Sequence, residues 1–77
     1  MPTLLRCEGF IFFFYANEHE PMHIHVQKGE HFAKIELNTL RVVKNYMPPK
    51  ELRRAMEIAK EYNDAFVAKW REWFDQR

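Results

Sequence analysis

The 77-residue chain carries 12 Lys+Arg against 11 Asp+Glu, four histidines, one cysteine and 16% aromatic residues. A net charge of +1 excludes a dominant basic footprint for nucleic acid, and a lone Cys7 excludes an intramolecular disulfide. Residues 1–77 read as one small domain burying only about 60% of its unfolded surface, so aromatic rings must supply much of the core.

Residues 1–8 form a short lead-in whose Leu4 and Leu5 can pair with, or pack on, a sheet. The run Phe-Ile-Phe-Phe-Phe-Tyr at 10–15 is β-branched or aromatic and free of proline. Both of its faces are apolar, which predicts a central or interface strand. The apolar run after Arg6 is too short to span a bilayer. Bulky Phe14 before Ala16, and Glu8 upstream, do not suit a secretory signal. The expectation is a cytoplasmic protein with no membrane contact.

The next ten residues hold three of the four histidines, His19, His23 and His25, with Glu18, Glu20 and Pro21. Residues 23–28 alternate, placing His23, His25 and Gln27 on one face and Ile24 and Val26 on the other. Gly29 suits the first central position of a type II′ hairpin turn. A two-residue loop at Gly29-Glu30 sets Lys28 opposite His31, Val26 opposite Ala33 and Ile24 opposite Ile35. The polar face then carries His23 opposite Glu36 and His25 opposite Lys34. A slip by one residue would mix the faces.

Residues 40–44 suit a short edge strand, and Pro48-Pro49 stops it and starts a helix. Apolar residues then recur at helical spacing from Leu52 to Phe74. A helix over 49–75 would be about 40 Å long, against about 20 Å for a six-residue strand. The overhang would carry Trp70, Trp73 and Phe74 past the sheet. The predicted architecture is α+β: three to four mostly antiparallel strands, with one long C-terminal helix on one face.

Two histidines two apart on a strand leave the same face about 6.5–7 Å apart. His23 and His25 are therefore candidate metal ligands, with His19 as third; Glu18, Glu20 and Glu36 offer further ligands or orienting carboxylates. Without metal, His23 or His25 beside Glu36 is a candidate general base. The plainer reading is a solvated sheet face with ordinary cross-strand pairs. With only Gly9 and Gly29, the chain has no phosphate-cradling loop. Arg41, Lys44, Lys50, Arg53 and Arg54 cluster around the last strand and the helix start; diluted by Glu51 and Glu57, they leave nucleic acid an open partner.

The segment from Glu18 to Val26, with Gly29, Pro49, Leu52-Arg53 and a Trp-bearing C-terminal helix, resembles a family of small bacterial proteins. That family is classed as a domain of unknown function, with a signature close to His-x-Pro-Pro-His-Phe-His-Val. Met22 stands where a second proline is common, and Ile24 where Phe is frequent. The resemblance implies a cytoplasmic bacterial protein encoded beside another small protein, as in toxin–antitoxin pairs, and passes the signature to His19, His23 and His25. The leading expectation is a non-enzymatic interaction or regulatory protein, working as a homodimer or with its neighbour through Phe13, Tyr15, Trp70, Trp73 and Phe74. The alternative is a histidine-based hydrolase or nuclease, with or without a divalent metal. A concave pocket over the His23/His25 face would favour the enzyme.

Overall fold

A computed structural model of the protein describes residues 3–15 and 18–75. Five antiparallel strands pair in chain order: β1 (Thr3–Cys7), β2 (Phe10–Phe13), β3 (His23–Lys28), β4 (His31–Glu36) and β5 (Arg41–Asn45). Two helices follow, α1 (Pro49–Glu61) and α2 (Asn63–Trp70), then a π-helical turn at Arg71–Asp75. The α+β class agrees with expectation, but three to four strands become five and the single helix becomes two.

The additional strand is β1, inside what reads as a lead-in. Cys7 pairs with Phe10 across a two-residue turn in which Glu8 (φ 54) and Gly9 (φ 83) both take positive φ. Such mirror-image turns match the twist of paired strands, and Asn-Gly or Asp-Gly usually announces them. Glu-Gly is a weaker signal. The Glu8 carboxylate is held by the guanidinium of Arg54 on α1, which supports the turn from outside.

The β3–β4 hairpin has the register expected from the alternation: His23 faces Glu36, Ile24 faces Ile35, His25 faces Lys34 and Lys28 faces His31. Gly29 has φ +59 and Glu30 does not share it, consistent with a type II′ turn. Gly29→Ala should therefore cost about 1 kcal/mol or more in urea unfolding, since the added Cβ opposes that φ even in open space. A neutral result would mean the turn relaxes.

Patterning puts Phe10, Phe12, Phe14, Ile24, Val26, Ala33 and Ile35 on the inner face, all buried. Ala55, Ile58 and Ala59 of α1 complete the same buried core from the helix side. His31 Nδ1 donates to Glu51 Oε1 at 2.9 Å, tying the hairpin turn to the first helical turn.

The helical span is interrupted at a single residue between α1 and α2. At Tyr62 the backbone departs from helical values (φ −102, ψ 14), although Tyr62 N–H still bonds Ile58 O and Phe66 N–H bonds Tyr62 O. After this joint, Phe66 stacks on Phe12 at 5.4 Å. Trp70 meets Phe14 edge-on at 5.2 Å, and Phe74 lies against both Phe14 and Trp70. Trp70 is 1% exposed, so the expected bare overhang is corrected for that ring; Trp73, 43% exposed, is the part that remains outside.

Candidate functional site

β3 presents His23 and His25 on the face opposite the core, and Glu18 comes from the connection before it. His23 Nδ1 donates to the Pro21 carbonyl at 2.9 Å, across a loop whose Glu20–Pro21 bond is cis. That loop is anchored where Leu37 N–H bonds Met22 O at 2.8 Å. His25 Nε2 donates to Glu18 Oε2 at 3.0 Å. His23 Nε2 is buried, lacks a hydrogen bond of normal geometry, and abuts the same Glu18 oxygen at ion-pair range. The ligand atoms of Glu18, His23 and His25 all lie within 4.8 Å of one another. Among the described residues these three form the group whose spacing suits a metal ion.

Rings enclose the cluster. His23, only 6% exposed, lies against Trp70 at 5.1 Å and against His25 at 5.1 Å, edge to face. Phe13 stacks on His25 at 5.4 Å, and Tyr15 meets it edge-on at 4.6 Å. Trp70 Nε1 donates to Glu20 Oε1 at 3.3 Å, so one tryptophan both walls His23 and steadies the preceding loop.

A cavity of about 500 Å³ opens beside this centre, lined in part by Glu18, His19, His23, Lys34, Glu36 and Arg41. The His23 face is thus concave. His19 is exposed and stands at the cavity wall, outside the three-residue cluster. Glu36 faces His23 in register but accepts a hydrogen bond from the Thr39 hydroxyl at 2.9 Å. Among the described contacts, the carboxylate that touches both histidines belongs to Glu18. Of the residues expected at a partner surface, Phe13 and Trp70 are buried, Phe74 is partly covered, and Tyr15 and Trp73 are exposed.

The family profile of a domain of unknown function, DUF4160, matches residues 9–71. The chain belongs to the DUF4160 family. No curated protein and no solved structure proved similar to it. The matched span takes in β2 to α2 and the whole cluster around His23, while β1 of this DUF4160 chain lies before it. No helix among the described residues is long and apolar enough to cross a membrane.

Burial pushes the His25 imidazole below its ordinary value of 6.5, and the hydrogen bond and charge of Glu18 pull it the other way. With the folded value the lower, the unfolded chain binds the extra proton first. The stability linked to His25 is therefore complete above about pH 6.5 and is lost as pH falls through the folded value. Urea midpoints measured from pH 8 to pH 5 should fall on the acid side for the wild type and fall less for His25→Asn. Parallel curves would place the acid sensitivity elsewhere.

Residue type and spacing flagged His23 and His25, with Glu18 among several available carboxylates. The hairpin register also set Lys34 opposite His25, whereas Trp70 and Arg41 have no local signal linking them to the histidines. The fold alone assembles them.

Proposed function

We propose that the protein is a metal-dependent hydrolase whose divalent ion is held by Glu18, His23 and His25. The observation that carries this reading is the convergence of His23 Nε2 and His25 Nε2 on one Glu18 oxygen, with His23 fixed by the Pro21 bond on its other nitrogen. A metal-binding histidine typically donates its second ring N–H to a carbonyl in this way, which sets the tautomer and leaves the first nitrogen free to ligate. Two imidazoles and one carboxylate are the donor set of zinc hydrolases that keep a fourth position open. Glu18, His23 and His25 would hold the ion through ligand atoms that already lie within 4.8 Å of one another.

A divalent ion held there supplies activated water at neutral pH. The chain's own residues do the remainder. Pro21 and Trp70 hold His23, Phe13 and Tyr15 hold His25, and Lys34 and Arg41 stand in the cavity wall as cations among the carboxylates of Glu18, Glu20 and Glu36. The test combines zinc calorimetry with hydrolysis of an activated phosphodiester. One zinc per chain and turnover abolished by both chelator and Glu18→Gln are expected. Turnover that persists after both treatments would remove the metal reading.

A second reading keeps the protein as a regulatory subunit of a cytoplasmic two-gene, toxin–antitoxin-like module, acting as a homodimer or with a small neighbour. Trp73 favours it, exposed at a shallow depression with Thr3, Leu4 and Lys69. Light scattering and co-purification with the adjacent gene product test it. A monomer that retains no partner would count against it.

A further inference from the structure

The face of the sheet turned away from α1 is crossed by one row of paired residues, Phe13, His25, Lys34 and Lys44. Outward positions on a one-sided antiparallel sheet are normally polar. Here three of the rings near that row are open to solvent: Tyr15 is 50% exposed, Phe32 47% and Tyr46 59%. Phe32 and Tyr46 lie ring to ring at 4.6 Å, and Tyr15 packs on His25. Between Tyr15 and Phe32 is a cleft of about 270 Å³, also lined by Phe13, His25, Lys34 and Lys44. That volume is below the usual range for drug-sized ligands and suits a single ring system. Lys34 also lines the larger cavity beside Glu18 and His23, so one side chain is common to both hollows.

The charge on this face is available. Lys34, Arg41 and Lys44 form no ion pair among the described residues, whereas Arg54 is committed to Glu8 and Glu57. Glu36 accepts from Thr39, Glu20 from Trp70 and Glu18 from His25, and among the described residues none of the three pairs with those cations.

We propose that this face binds single-stranded nucleic acid, with bases stacking on Tyr15, Phe32 and Tyr46 and phosphates meeting Lys34 and Lys44. Flat rings accept any unpaired base, and lysines beside them track the backbone. A duplex hides its base faces and cannot use the rings. Lys34 would then hold a phosphodiester at the edge of the Glu18–His23–His25 centre, and this last step rests on the hydrolase reading. Hydrolysis there adds the oxygen of water to phosphorus and breaks one P–O ester bond, one proton of the water passing to the leaving alkoxide.

Fluorescence anisotropy in EDTA tests the binding, using a short labelled single-stranded RNA, the DNA of the same sequence, and the duplex. Both single strands should bind, and the duplex far more weakly. Tyr15→Ala and Phe32→Ala should each weaken binding by about 5- to 100-fold, and Phe32→Tyr should restore it. Replacing Lys34 and Lys44 by Gln should flatten the salt dependence by about 0.7 in log–log slope for each phosphate that the variant no longer neutralises. Absence of saturable binding at low salt by folded wild type would overturn the proposal. So would alanine variants that bind as well as wild type, or a duplex that binds as tightly as single strands. Oligonucleotide binding in EDTA without zinc uptake would leave this face assigned and remove the hydrolase reading. Zinc uptake without oligonucleotide binding would remove the nucleic-acid proposal alone.

Discussion

A Trp70→Ala variant should lose about 3–5 kcal/mol of folding stability, the range for removing a buried aromatic side chain. At about 0.05–0.15 kcal/mol per residue, a domain of this size has about 4–12 kcal/mol in all, so the variant should be close to unfolding at 37 °C. The ring is almost wholly buried and meets Phe14, Phe74 and His23, and its Nε1 donates to Glu20. Its loss should therefore act at two places. A cavity would open between α2 and Phe14, just beyond β2, and His23 would lose one wall. With each kcal/mol moving the melting point of a small domain by about 4–8 °C, a fall of at least about 12 °C is expected. Trp73→Ala, at an exposed position, should stay within about 0.5 kcal/mol. Comparing the two melts checks the packing of the helix end directly. The reverse ranking would mean that Trp73, rather than Trp70, faces the sheet.

Zinc should stabilise the wild type strongly and leave a His23→Asn, His25→Asn double variant unmoved. A ligand that binds only the folded state at one hundred times its dissociation constant adds about 2.7 kcal/mol, or about 10–20 °C for a domain of this length. The gain should fall as pH drops, because protons and metal compete for the same imidazole nitrogens. Glu18→Gln should lose most of the shift while keeping the fold, since Glu18 lies in the connection before β3 and outside the core. Nickel in place of zinc offers an independent readout, because its absorption spectrum reports ligand number. Equal melting shifts in the wild type and the double variant would assign the effect to surface binding and remove Glu18, His23 and His25 as a metal site.

Much of the fold was legible because it rests on local periodicity. Alternation over residues 23–37 and the Gly29-Glu30 turn determined the hairpin register, since any slip would have turned Ile24, Val26 and Ile35 outward. The long apolar stripe after Pro49 likewise fixed a helical segment on one face of a sheet. The same alternation put His23 and His25 side by side on the other face. Less legible was β1, whose turn depends on a non-glycine residue, Glu8, at positive φ, with an arginine forty-six positions later bonded to its carboxylate. The joint at Tyr62 was also hidden, because α1 and α2 share one helical spacing and the change of backbone occurs at a single residue.

Tertiary structure alone decided how the histidines are furnished. Spacing puts two imidazoles on one face, but it cannot say that Pro21 turns one ring, that Glu18 rather than Glu20 or Glu36 reaches both, or that Trp70 closes the side of His23. These choices depend on where a loop and a helix end come to rest, and many contacts beyond sequence neighbours determine that. The aromatic run at 10–15 divides for the same reason. Phe12 and Phe14 enter the core, Phe13 stacks on His25, and Tyr15 remains in water. Strand alternation separates the two faces, but only the helices decide which of them is covered.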